Sequence, residues 1–133
     1  MTDGRRVARA QGLFYLASGA WPLIHMRSFE LVLGRKQDHW LVHTVSGLLI
    51  ANGISQLRTD SAPAAISAAR RTGLGMATSL ALIDLRYATT GRISRMYLAD
   101  ALIEAGWILA WGRARTPRRT DPRQEPRGEW RPL

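Results

Sequence analysis

The sequence predicts an all-α protein, a four-transmembrane-helix bundle with short connectors and a disordered basic C-terminal tail. Three observations carry that expectation. Residues 10–26 form 17 consecutive positions without Asp, Glu, Lys or Arg, and residues 39–57 form 19 more; each run nears the roughly 20 residues a helix needs to cross ~30 Å of hydrocarbon. Two further helical runs follow, 72–83 without charge and 93–111 interrupted by Arg95, Asp100 and Glu104. From Gly112 onward the chain holds seven Arg, three acids and four of the six Pro, with almost no aliphatics, a composition that cannot offset its ordering entropy. The alternative is a four-helix bundle in water, in which 12-residue apolar runs are ordinary core helices. Against it, such helices seldom lack charge on every face for 17 and 19 residues. With 133 residues there is room for one domain: a helical domain over 1–112, with helices about 7–26, 39–57, 64–88 and 93–111, followed by an Arg/Pro-rich tail over 113–133.

Each element has its own signals. The first helix follows Arg5, Arg6 and Arg9, and its run GLFYLASGAWPLIHM is too long and too aromatic for a signal-peptide core. Pro22 lies inside it and removes a backbone donor, which predicts a kink or an early end near Trp21. The connector RSFELVLGRKQ mixes charge with FELVL and suits a short interfacial helix. The second helix carries Ser46, Gly47, Asn52, Gly53 and Ser55, small residues that let backbones approach closely. Asp60-Ser61-Ala62-Pro63 places a cap residue ahead of a first-turn proline and starts the third helix. A turn at Thr89-Thr90-Gly91-Arg92 leads into the fourth.

The net charge is +9, and 18 of the 19 basic residues are Arg, with Lys36 the exception. They lie mostly beside apolar runs and in the tail, where anionic headgroups attract them, so nucleic acid is not the expected partner. The lipid bilayer is, along with a homo-oligomer or a larger membrane complex. Basic residues near the helix ends divide thirteen to six in favour of the side holding both termini, which places the chain in a bacterial inner membrane, multi-pass, with both termini cytoplasmic. Cysteine is absent, which excludes disulfides, thiolate nucleophiles and cysteine-ligated metal centres. No P-loop, GxGxxG, GxSxG or HExxH is present, and no motif calls for a cofactor.

Two groups of residues could carry chemistry. Tyr97, Asp100, Glu104, Trp107 and Trp111 follow helical spacing along one stripe, and Asp84 lies near the same end of the third helix as Asp100 does of the fourth. Carboxylates that close repel, which raises at least one pKa or demands a cation such as Arg86, Arg92 or Arg95. The second group is His25, Glu30, Asp38, His39 and His43. His39 and His43 are four apart and share a helix face, so a metal held by His25, His39 and His43, or a haem between His25 and His43, is conceivable. Hydrogen bonding of these rings to carbonyls or headgroups is the commoner arrangement.

The stretches WPLIHMRSFELVLGRKQDHWLV and GRISRMYLADALIEAGW resemble a group of small bacterial four-helix membrane proteins. The resemblance covers most of residues 7–111, with Trp21, His25, Phe29, Glu30, Gly34, Lys36, Asp38, Trp40, Tyr97, Asp100 and Glu104 at its recurrent positions. In size and helix count alone the chain is also similar to DoxX-like proteins. The resemblance implies fold and location and no activity. The expected function is small-ligand binding in a polar pocket, or support of a membrane complex. The pocket would be formed by His25, Glu30, Asp38, His43, Asp84, Tyr97, Asp100 and Glu104. The alternative is a small membrane enzyme or proton-coupled carrier using Asp84, Asp100 and Glu104 as acid and base.

Overall fold

A computed structural model describes residues 3–115 of the chain. It is all-α, with helices α1 (Gly4–Leu33), α2 (His39–Leu57), α3 (Pro63–Thr89) and α4 (Tyr97–Arg113). Successive helices pair as two hairpins, α1 with α2 and α3 with α4, and the hairpins meet mainly through α1 on α3 and α4. The tail expected over 113–133 lies largely outside the described residues; its first three positions finish α4 and bring Arg115 beside Asp3 in a backbone bridge.

The transmembrane expectation is overturned. Among the described residues no helix is long and apolar enough to cross a membrane. The physical reason is that freedom from charge is not apolarity. The uncharged run of α2 is diluted by His39, His43, Asn52 and Gln56. The apolar stretch of α1 begins beside Arg5, Arg6 and Arg9 and is interrupted at His25. α3 contains Arg70, Arg71, Asp84 and Arg86, and the 17 residues of α4 include Asp100 and Glu104. The multi-pass inner-membrane location and the orientation of the termini lose their premise with it.

Local chemistry explains the element ends. The Asp3 side chain accepts from Arg5 N and caps α1. Asp60 accepts from Ala62 N at 2.7 Å, and Pro63 occupies the first turn of α3, where its missing donor costs nothing. Pro22 does not end α1. The backbone leaves helical geometry at His25 (φ −148°, ψ 78°) and resumes to Leu33, so the FELVL stretch continues this helix. The break is bridged from both sides: Trp21 Nε1 donates to Ser28 Oγ at 2.8 Å, Ser28 Oγ donates to His25 O, and Ser28 N donates to His25 Nδ1. Between α3 and α4, Arg92 N and Ile93 N both donate to Tyr87 O and Gly91 takes φ 74°. That closure uses up Ile93 to Met96, so α4 starts at Tyr97, four residues later than its sequence pattern suggests.

Packing is close because small residues stand at the crossings. A Cβ added to Gly12 would sit 2.7 Å from Gly53 O, and one on Gly53 would sit 2.6 Å from Gly12 O, so these backbones touch. The interior is correspondingly poor in large aliphatics: Val7, Ala8, Ala69 and Trp111 form its apolar cluster. The buried polar residues are Gln11, Ser46, Gln56, Thr59, Asp84 and Glu104. Large apolar side chains lie on the outside instead, with Leu31 85%, Ile24 81% and Leu102 75% exposed.

Gly53→Ala is expected to destabilise the fold by about 1–3 kcal/mol, because the α1–α2 backbones must separate. Gly47→Ala on the same helix, where nothing lies within 4 Å of the added carbon, is expected to be neutral or stabilising by up to about 1 kcal/mol. Chemical denaturation of the two variants checks this, and equal losses would remove the close-approach argument.

Candidate functional site

The inward stripe of α4 meets α1 through uncharged polar side chains. Gln11 and Tyr15 are one turn apart on α1, and both are buried. Tyr15 OH donates to Glu104 Oε2 at 2.8 Å, and Gln11 Nε2 donates to Tyr15 OH at 3.0 Å and to Gly73 O at 3.1 Å. Trp111 Nε1 donates to Gln11 Oε1 at 2.7 Å. Gly73 has no side chain because this network fills the space: a Cβ there would lie 2.6 Å from Trp111 Nε1. A run of polar groups therefore links α1, α3 and α4 through the bundle interior.

At the α3–α4 hairpin end the run continues into three carboxyls. Asp84 and Asp100 face each other closely enough for each to shift the other's titration. Burial, then the neighbouring Asp100 charge, pushes the Asp84 carboxyl up from 3.8 to about 7. Burial likewise raises Asp100, and it raises Glu104 to about 7 even though the Tyr15 hydroxyl favours the carboxylate. Tyr97 is pushed up to about 12 by burial and by the Asp84 and Asp100 charges, and Tyr15 is raised further still, chiefly by burial. Arg86, Arg92 and Arg95 form no ion pair with these acids. Asp84 is 4% exposed and its Oδ2 has no hydrogen-bond partner.

These carboxyls form one wall of a cavity of about 320 Å³ between α1, α3 and α4. Its other walls are apolar and largely aromatic: Phe14, Trp21, Phe29, Leu80, Met96, Tyr97 and Ile103. Phe14 packs on Trp107 with ring centroids 5.9 Å apart, and Trp21 meets Phe29 edge to face at 5.6 Å. A second cavity, about 250 Å³, lies at the opposite end beside Gln56, Thr59, Asp60 and Thr72.

The eight residues expected to share one polar face divide into two groups. Asp84, Tyr97, Asp100 and Glu104 come together at the cavity. Glu30 stands outside it, accepting from Lys36 N and pairing with His39 Nε2, both at 2.8 Å; the Lys36 backbone bond, then His39, holds its carboxyl below the usual range. Lys36 Nζ donates to Leu33 O and lies 4.6 Å from the Tyr97 ring centre. His25 belongs to the α1 break, Asp38 precedes α2 with its side chain exposed, and His43 is exposed on α2. Among the described residues no three His, Asp or Glu side chains stand close enough to hold a metal ion, so His25, His39 and His43 do not form one site. Gln11, Tyr15 and the aromatic walls were not legible as site residues. The signal for the first two was a polar pair four apart within an uncharged run. Comparison with protein-family models, curated proteins and solved structures finds no match, and the resemblance drawn from the sequence gains no test from it.

The raised carboxyls make stability depend on pH with a definite sign. A carboxyl whose folded pKa lies above its unfolded value contributes stability in full below the unfolded value, and loses it as pH rises through the folded value. For Asp84 and Glu104 that window runs from about 4 to about 7. The unfolding free energy is expected to fall across it by on the order of a few kcal/mol. Asp84→Asn removes one of the titrating groups, so it is expected to flatten the profile and to exceed the wild type in stability at pH 8. Denaturant titrations at several pH values check this, and a wild type more stable at pH 8 than at pH 5 would overturn the account.

Proposed function

We propose that the chain is a small-ligand binding protein whose site is the aromatic cavity over Asp84, Asp100 and Glu104. The observation that carries this reading is the convergence of Asp84, Asp100 and Glu104 on one wall of a largely aromatic and aliphatic cavity, with Asp84 Oδ2 buried and without a hydrogen-bond partner. Leaving such an acceptor unsatisfied costs about 1–3 kcal/mol, and a concave, mostly apolar space with a few convergent polar groups is the usual form of a ligand site. Among the described residues no group of three His, Asp or Glu that could hold a metal ion accompanies the acids. An acid–base enzyme remains the alternative, favoured by Asp84 and Glu104 both lying near 7.

A second reading concerns partners. Leu13, Leu48, Leu82, Leu102 and Leu109 are each more than half exposed, and apolar exposure on every helix marks surfaces that associate. The chain then works as a subunit, either of a homo-oligomer or of a larger complex. Light scattering on the purified protein is expected to give a mass above the 14.8 kDa of one chain. A monomer across the micromolar range would remove this reading.

A thermal-shift screen of small aromatic and alicyclic molecules tests the binding reading. A ligand at 100 times its Kd is expected to stabilise the fold by about 2.7 kcal/mol. Ser18→Phe, which places a ring in the cavity from α1, is expected to abolish that shift while the variant stays folded. Shifts unchanged in Ser18→Phe would place the site elsewhere.

A further inference from the structure

We infer that the occupant of the aromatic cavity is an organic cation, a protonated amine on an apolar body, with its N–H donated to the Asp84 carboxyl. This rests on the binding reading above and names the chemical class that the site selects.

Charge supplies the first argument. Three carboxyls line the cavity and no Lys, Arg or His does. The groups facing Asp84 are Asp100 and Tyr97 from α4, with Glu104 and, from α1, Tyr15 beyond them; α2 contributes only Val45 and Leu49 to the lining. The cation nearest this wall, Lys36, is engaged with Leu33 O and lies against the Tyr97 ring without lining the cavity. An anion would meet like charge, and a neutral molecule would leave the acid repulsion unrelieved.

The unmet acceptor supplies the second, independent argument. Tyr15 OH occupies Glu104 Oε2, whereas Asp84, 4% exposed, has an oxygen, Oδ2, with no hydrogen-bond partner. An ammonium held against the Asp84 carboxyl from the cavity supplies the donor and the charge that this wall lacks. The walls supply the third: Phe14, Trp21, Phe29 and Tyr97 line the space, and aromatic faces attract cations, more strongly once desolvated. A dehydrated metal ion finds no three-ligand set among the described residues. The volume of about 320 Å³ equals roughly ten waters, which suits a small aromatic or alicyclic amine.

The step balances as an exchange. The amine enters as R–NH3+, the Asp84 carboxyl gives up its proton to solvent, and R–NH3+ pairs with the carboxylate. No bond within the ligand forms or breaks, and the charge of the site is unchanged. Burial of the acids, which favours their neutral form when the cavity holds no cation, gives the exchange its pH dependence.

The test is calorimetry on the full chain with benzylamine, phenethylamine and 2-naphthylmethylamine, each beside its matched alcohol and carboxylate. The amines are expected to bind at least tenfold more tightly than the alcohols, and the carboxylates not at all. Heats compared in two buffers of different ionisation enthalpy are expected to show close to one proton released at pH 6 and almost none at pH 8, where the amines are still protonated. Asp84→Asn is expected to weaken the amines tenfold or more and leave the alcohols unchanged; if that variant does not fold, Asp100→Asn takes its place. Alcohols binding as tightly as amines, or amine binding unaffected by the substitution, would overturn the inference while the cavity reading stands. Binding by none of the nine compounds counts against both.

Discussion

The fold depends on one run of buried hydrogen bonds, from Trp111 through Gln11 and Tyr15 to Glu104. Each member is almost wholly buried, so losing one partner would strand a donor or acceptor without water at about 1–3 kcal/mol. That constraint sets the rotation of α1 and α4 about their own axes, since both must present their polar stripe inward. It sets the approach of α3 as well, because Gln11 completes its bonding on Gly73 O and fills the space a side chain would need.

Two features follow from this polar interior. With Gln, Tyr, Asp and Glu directed inward, the leucines and isoleucines of the same helices can only face outward, which is why Leu102 and Ile103 flank the buried Glu104 on exposed positions. With few large aliphatics inside, close packing relies on Gly and Ala, and the α1–α2 hairpin closes by backbone contact at Gly12 and Gly53. The fold thus reverses the usual division in which apolar residues fill the centre, and it holds together by polar satisfaction and backbone proximity more than by apolar bulk.

Much of the helix order was legible. Asp38 and Arg58 bracket α2 so closely that its uncharged run and the helix coincide, and the Asp60–Pro63 signal marks the start of α3. The course of α1 beyond Pro22 was not legible, because it rests on Trp21 reaching Ser28 seven residues away. The membrane expectation failed through the choice of signal: counting charges treats His39, His43, Asn52 and Gln56 as apolar, and mean hydropathy does not. At the site, the meeting of Asp84 and Asp100 could be read from their places at one end of a hairpin. Gln11 and Tyr15 were hidden because an uncharged polar residue in a helix declares neither burial nor partner. The histidine group looked like a site because its members are close in sequence, but the α1 break consumes His25, and Glu30 engages His39.

The two ends of the polar run are not equivalent, and the difference bears on function. The donors of Gln11 and Trp111 find acceptors inside the protein, while the Gln56 amide beside them does not. At the carboxyl end acids face acids, and Asp84 Oδ2 is left without a partner. A carboxyl pair of this kind stabilises the chain less than a neutral pair of the same shape would above pH 7, and a fold shaped by stability alone would place Asn or Leu there. The hydrogen bonds of Gln11 and Trp111 hold α1, α3 and α4 in register, and that rigidity allows the carboxyls to stay poised beside an aromatic cavity without collapsing onto one another.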